Sequence, residues 1–380
     1  MIYLLWYNPE FHNMAIVNIE KVKITGLAAC VPQFEYNNND YDLIPPAERT
    51  LLINTIGVEK RRMAGSKITT SDMCQKAAEK LFSEMNISPS EIDLVIFVSQ
   101  SRDYILPCTA IVLQNKMGIP MTSLAFDIPL GCSGYVYGLY IMGSMIQKGQ
   151  LKKGLLLVGD ISTMSTSYLD PSTFPLFGDS GTATVLEYDP NAEQIFFNLQ
   201  SDGSGWEAIS IPEGGTRNFP KEDSFILKEV MPGIKRNRFQ LHLSGIDVFN
   251  FSLREVAPNI KVLLANISKD ANDFDFYLFH QANKLMNETI RKKLKLAPEK
   301  VPYTLQKYGN TSCASIPLTM VSEIRNELQE KNLSLILSGF GVGLSWGSVA
   351  IKTDKIVCPE VIEYPNLGDK IPLFKITDNT

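Results

Sequence analysis

Few side chains in this 380-residue sequence can serve as a nucleophile or carry a proton near neutral pH. The sharpest setting is Phe126-Asp127-Ile128-Pro129-Leu130-Gly131-Cys132-Ser133-Gly134. An apolar strand ends there, small residues make a tight turn, and a helical pattern begins just after Cys132. A thiol in that position faces the positive end of a helix, which favours thiolate. Gly131 and Gly134 allow close backbone approach, so a substrate carbonyl can reach the sulfur. The geometry is that of a nucleophile elbow. The plainer reading is a buried core cysteine, which fits Cys30, Cys74, Cys108 and Cys358.

Of the three histidines, His12 lies near the start and His242 in the alternating run Phe239-Gln240-Leu241-His242-Leu243. His280, in Leu278-Phe279-His280-Gln281-Ala282-Asn283, follows an apolar strand at its carboxyl end. Open α/β sheets place ligands at such ends. It reads as an acid/base or hydrogen-bonding group, or else as a hydrogen-bonded structural histidine. A polar loop, Tyr308-Gly309-Asn310-Thr311-Ser312-Cys313-Ala314-Ser315-Ile316-Pro317, opens another helix, with Ser315 as a potential N-cap and Pro317 in the first turn. Cys313 is the rival nucleophile, but no glycine-rich elbow precedes it. Gly339-Phe340-Gly341-Val342-Gly343-Leu344-Ser345-Trp346-Gly347 lies between two strands. It is either a tight β-turn or a loop that presents N–H groups to an oxyanion.

These segments need a scaffold. Short apolar runs alternate with helical patterns. Strands are expected over Val22–Leu27, Asp93–Val98, Ser123–Ile128 and Gly154–Val158, with Thr182–Glu187 antiparallel or edge-like. Helices are expected over Ser71–Met85, Cys108–Met117 and Ser133–Gln147. A second ladder follows: a helix over Ile246–Ile267 broken near Pro258, a strand over Phe274–Phe279, and helices over Ala282–Leu294 and Ile316–Leu328. Strands over Leu333–Ser338 and Trp346–Lys352 complete it. Strands separated by helices imply βαβ units and a mainly parallel sheet. The two halves share an order of elements without a residue-level repeat. The expected organisation is an extension over 1–20, a half carrying the cysteine over 21–190, and a connecting, site-covering segment over 191–245. A half carrying His280 and Asn310 over 246–355 and a tail over 356–380 follow. Met14 is an alternative start.

Composition excludes several classes. Hydrophobic residues at 44% and charged residues at 20% suit a soluble globular chain. A net charge of -5 gives no global attraction to nucleic acid or anionic membrane. No apolar run approaches the ~20 residues of a spanning helix. The six scattered cysteines form no zinc pattern and read as reduced thiols of a cytoplasmic protein. Neither metal nor cofactor is called for.

Taken together and in order, DIPLGCSG, HQAN, YGNTS and GFGVGLSWGS resemble the ketoacyl-ACP synthase III family of the thiolase superfamily. The resemblance runs from about Lys21 to Lys352. It is supported by Ile56-Gly57-Val58-Glu59-Lys60-Arg61-Arg62, Phe177-Gly178-Asp179-Ser180-Gly181 and Asp202-Gly203-Ser204-Gly205-Trp206-Glu207. It implies a duplicated, five-layered αβαβα thiolase-like fold. It implies that Cys132 is the acylated nucleophile, and that His280 and Asn310 bind the carbonyl of a second thioester and promote decarboxylation of a malonyl group. The N–H groups of Cys132 and Val342 would form the oxyanion hole, although the family has glycine where Val342 stands, and Asp179 would be structural. The implied partners are an acyl-CoA or acyl-ACP donor, malonyl-ACP as acceptor, and a second copy in a homodimer, with the residues near Leu106 reaching the partner's acyl pocket. Arg291, Lys292 and Lys293 would dock an acidic carrier protein, or else form a solvated helix face.

One departure stands out. Known members hold the adenine of coenzyme A between a Trp and an Arg, and the matching positions here are Leu51 and Thr55. That leaves room for acyl transfer from Cys132 to an oxygen, nitrogen or non-malonyl carbon nucleophile. A catalytically silent partner subunit would usually lack the nucleophile. A degradative thiolase would need a second cysteine in the C-terminal glycine loop, and Gly339–Gly347 has none.

Overall fold

The computed structural model describes residues 16–367. Met14 and the outer parts of both expected terminal segments lie outside them. Two sheets carry the fold. The first has six strands in the order Ile362–Tyr364, Val22–Pro32, Asp179–Tyr188, Lys153–Ile161, Leu94–Val98, Leu124–Ile128. The second has five, in the order Ile16–Ile19, Ile195–Ser201, Ser345–Thr353, Leu333–Gly341, Phe276–Phe279.

Each sheet repeats the same pairing. Asp179–Tyr188 is antiparallel to both its neighbours, and Ser345–Thr353 is antiparallel to both of its own. Lys153–Ile161 then runs parallel to Leu94–Val98, as Leu333–Gly341 does to Phe276–Phe279. The expected duplication is therefore present in topology. Asp179–Tyr188 is antiparallel but interior rather than edge-like. Ile195–Ser201, not expected as a strand, belongs to the second sheet.

Five layers follow from which faces are apolar. Leu94–Val98 is buried on both sides, so its run is continuously hydrophobic. Leu94, Ile96 and Val98 point to a central core, while Val95 and Phe97 point to an outer one. Leu335 and Leu337 of the second sheet face the same central core, and Ile336 and Phe340 face another outer one. The helices Gly134–Ile146 and Ser315–Glu323 fill the central layer. Thr70–Met85 and Thr109–Lys116 cover one outer face, and Gly245–Asn266 with Lys284–Lys293 cover the other. This is the αβαβα thiolase-like architecture.

Two helices differ from expectation. Gly245–Asn266 runs through Pro258 without a break. The adjacent Asn259 is tied to the sheet: its carbonyl accepts from Asn198 Nδ2 at 2.9 Å, and its side chain accepts from Ser348 Oγ at 2.6 Å. These bonds hold the helix where Pro258 removes one. The helix expected over Ile316–Leu328 is two, Ser315–Glu323 and Arg325–Glu330, with Ile324 at φ -129° between them.

Candidate active site

Cys132 sits in the turn between the strand Leu124–Ile128 and the helix Gly134–Ile146. The turn is closed by Gly134 N–H donating to the Gly131 carbonyl at 2.6 Å. Ser133 and Ser345 share a hydrogen bond of 2.7 Å, which fastens the elbow to the C-terminal glycine loop. That loop passes so close to the thiol that a Cβ on Gly341 would lie 2.7 Å from Cys132 Sγ. Gly341 also has φ +155°, so a side chain is excluded there on two counts. The close pass brings the Val342 N–H to the sulfur, and the Cys132 N–H and the Ser312 side chain face it too.

The expected thiolate does not form in this state. Burial pushes the Cys132 thiol up to about 11, and these donors only partly offset it. Desolvation outweighs the helix terminus because the sulfur is shut away from water.

His280 follows the strand Phe276–Phe279, anchored by its N–H to the Ser338 carbonyl at 2.8 Å. Its Nδ1 and Ser315 Oγ are 2.8 Å apart. Ser315 is thus the partner of the imidazole rather than the N-cap, which is Ala314. The edge of Phe340 packs on the ring with centroids 5.5 Å apart. Burial lowers the imidazole to about 3, so His280 is neutral at physiological pH and can still offer an N–H.

Asn310 is held on both sides of its backbone: its N–H donates to the Leu176 carbonyl at 2.9 Å, and its carbonyl accepts from Gly178 N–H at 3.0 Å. Gly178 is required for this approach, because a Cβ there would collide with the Tyr308 carbonyl. The Asn310 side chain accepts from Ser312 N–H at 2.9 Å and donates to the Ala282 carbonyl at 3.3 Å. Its amide N–H groups are thereby aimed by the loop that follows His280.

Cys132, His280, Asn310 and Val342 all line one cavity. A thiol, a neutral imidazole, a carboxamide and backbone donors on buried residues suit thioester chemistry. They can hold a carbonyl oxygen as it gains charge. The four came from well-separated sequence segments, and the fold brings them together. Asp160 and Ser312, which also line the cavity, were not singled out in sequence: Asp160 stands in no motif, and Ser312 lies within YGNTS, where Asn310 drew the reading. Cys313 is buried and donates its thiol to Asp160 Oδ2 at 3.2 Å, which does not favour it as the nucleophile. Asp179 is buried and accepts from Ala64 N–H at 2.8 Å and Thr163 N–H at 3.0 Å, a bracing arrangement.

The remaining sequence candidates lie at the surface. Arg291 pairs with Glu288 at 2.8 Å and donates to the Leu296 carbonyl at 2.6 Å, so its charge is engaged on its own helix end. Lys292 is exposed, and Lys293 is exposed with its ammonium on the Leu253 carbonyl at 2.6 Å. Leu106 is 80% exposed beside the exposed Tyr104 and Ile105. Leu51 is exposed, and Thr55 turns its hydroxyl back to the Leu51 carbonyl at 2.7 Å. No helix among the described residues is long and apolar enough to cross a membrane.

Comparison with known proteins places this geometry. Residues 126–203 match the model for 3-oxoacyl-[acyl-carrier-protein] synthase III, and residues 264–353 match the model for its C-terminal part. A beta-ketoacyl-[acyl-carrier-protein] synthase III from Streptococcus mutans is 32% identical, with 87% of this chain and 98% of the relative aligned. A putative 3-oxoacyl-[acyl-carrier-protein] synthase 3 from Campylobacter jejuni is also 32% identical, over 91% of this chain and 98% of its own. The crystal structure of a 3-oxoacyl-(acyl-carrier protein) synthase from Burkholderia xenovorans superposes with a TM-score of 0.87 at 36% identity, covering 92% of this chain and 99% of that one. The chain belongs to the 3-oxoacyl-[acyl-carrier-protein] synthase III family of condensing acyltransferases.

Proposed function

We propose that Cys132 accepts an acyl group from an acyl thioester and that the acyl-enzyme condenses with a malonyl group on acyl carrier protein. The observation that carries this reading is the shared cavity: one thiol at a helix start, with His280, Asn310 and the Val342 N–H around it. In the first half-reaction the Cys132 sulfur bonds to the acyl carbon and the carrier's C–S bond breaks. The thiol proton ends on the departing carrier thiol. The N–H groups of Cys132 and Val342 hold the tetrahedral oxyanion. In the second, the malonyl carboxylate leaves as carbon dioxide, and its electron pair becomes an enolate. His280 and Asn310 donate to the enolate oxygen. The carbanion attacks the acyl carbon, and Cys132 leaves as thiolate and is reprotonated.

The relatives are named for acyl carrier protein, and the exposed Lys292 and Lys293 are the docking cations we assign to it, with Arg291 bracing their helix. Leu51 and Thr55 stand where the resemblance expects an aromatic ring and a guanidinium to hold adenine, so the donor is assigned to a carrier protein. A homodimer is supported by the exposed apolar run Tyr104, Ile105 and Leu106 and by the position of Leu124–Ile128 at the edge of its sheet among the described residues. The free thiols fit a cytoplasmic setting.

Release of labelled carbon dioxide from malonyl-ACP, together with the intact mass of the enzyme, tests the reading. Wild type should gain an acyl group and release label. His280→Ala should acylate but lose about 10²-fold or more in release. An unmodified Cys132 across CoA and carrier donors, or acylation without release, would sink it; the latter leaves transfer to a non-malonyl acceptor.

A further inference from the structure

The cavity has two chemically different walls. One is apolar, with Ile209, Leu241, Leu243, Val248, Met286 and Phe340. The other is built at the carboxyl ends of Leu94–Val98 and Lys153–Ile161, and presents Gln100, Ser101, Asp160, Ser162 and Ser165. Asp160 is the unusual member. It is 2% exposed, and it has no ion pair among the described residues. A buried carboxylate without a cation must be stabilised by hydrogen bonds.

Its two oxygens are served unequally. Oδ1 accepts from Ser99 Oγ at 3.0 Å, Gln100 N–H at 2.7 Å, Ser101 N–H at 3.2 Å and Ser101 Oγ at 3.2 Å. Oδ2 accepts from the Cys313 thiol at 3.2 Å, a weak donor. Oδ2 thus keeps acceptor capacity, on a residue that lines the cavity. The carboxylate is also close enough to Cys132 for its charge to act on that thiol. A plain hydrocarbon chain laid against this wall would leave Oδ2 with only the thiol as its donor among the described residues, which is unfavourable for a buried carboxylate. A chain with a donor near the thioester would supply the stronger partner that Oδ2 lacks.

We propose that the acyl group borne by Cys132 carries a hydrogen-bond donor, a hydroxyl or an amine, that is accepted by Asp160 Oδ2. The inference rests on the reading of Cys132 as the acylated nucleophile. The donor group itself takes no part in bond making; the acylation step is the thioester exchange already described.

The test is a matched set of butyryl, β-hydroxybutyryl and β-aminobutyryl thioesters on CoA and on carrier protein, with acylation of Cys132 followed by intact mass. The hydroxyl or the amine donor should be favoured over butyryl by about tenfold or more in kcat/KM, and which one leads identifies the group. In Asp160→Asn, checked for folding by thermal denaturation, that preference should fall severalfold, because a neutral amide accepts more weakly than a carboxylate. Butyryl transfer equal to or faster than both in wild type overturns the inference while leaving acyl-Cys132 intact. No acylation by any donor overturns the underlying reading instead.

Discussion

At the scale of single residues, the question is where the Cys132 proton goes. A thiol held near 11 by burial is almost entirely protonated at neutral pH, so the resting enzyme is not a free thiolate. In the proposed mechanism the nucleophile forms as the substrate arrives, and the proton passes to the departing carrier sulfur. The sign is testable. Because the thiol titrates above the assay range, the thiolate fraction rises with pH. Alkylation of Cys132 by iodoacetamide should therefore accelerate about tenfold per pH unit from about pH 6 to 9, without a plateau. A plateau near pH 7 would mean an activated thiolate. The strand-to-helix setting of the thiol was legible in sequence and its ionisation was not, because the helix terminus is local while desolvation comes from segments brought in by the fold, the close pass of Gly341 among them.

Elements decide how rigidly those residues are held. Asp179 starts an interior strand and accepts from Ala64 N–H and Thr163 N–H, joining the segment after Arg62 to the turn after Ile161. The next connection, Phe177 beside Asn310, carries that brace to the active site. Removing the carboxylate takes the acceptor from three donors, the Ala64 N–H, the Thr163 N–H and the Thr163 hydroxyl, but also removes a desolvation cost, which raises the Asp179 carboxyl to about 6. Asp179→Ala should lower stability by about 1–3 kcal/mol, read as a reduced urea midpoint at unchanged slope. No loss of midpoint would show that the brace is dispensable. Most elements were legible from periodicity, as in the run Leu94–Val98. Ile195–Ser201 was not, because its alternation is weak and its partner strand, Ser345–Thr353, lies far along the chain. Pro258 misled for a similar reason: the bonds from Asn198 and Ser348 that sustain its helix are tertiary.

At the scale of the whole molecule, one edge matters. Among the described residues, Leu124–Ile128 closes the six-stranded sheet with an unpaired edge, and Leu124, Ile111 and Met121 of this region are exposed. An unpaired edge with apolar side chains is a template for another chain, and a second copy is the occupant proposed here. Leu124→Lys should shift the protein from dimer to monomer by light scattering and cut acylation with it. A monomeric wild type would refute the assignment. The sequence by itself determined the parts: a cysteine at a strand-to-helix turn, a histidine at a strand end, an asparagine in a loop and a glycine run, because turns and helix starts are set by immediate neighbours. Only the tertiary structure decided that these parts share one cavity, that Ser315 positions the histidine, and that Cys132 rests as a thiol against a wall carrying Asp160. Distance and burial depend on groups that meet only when the two halves close on each other, and those two quantities govern ionisation.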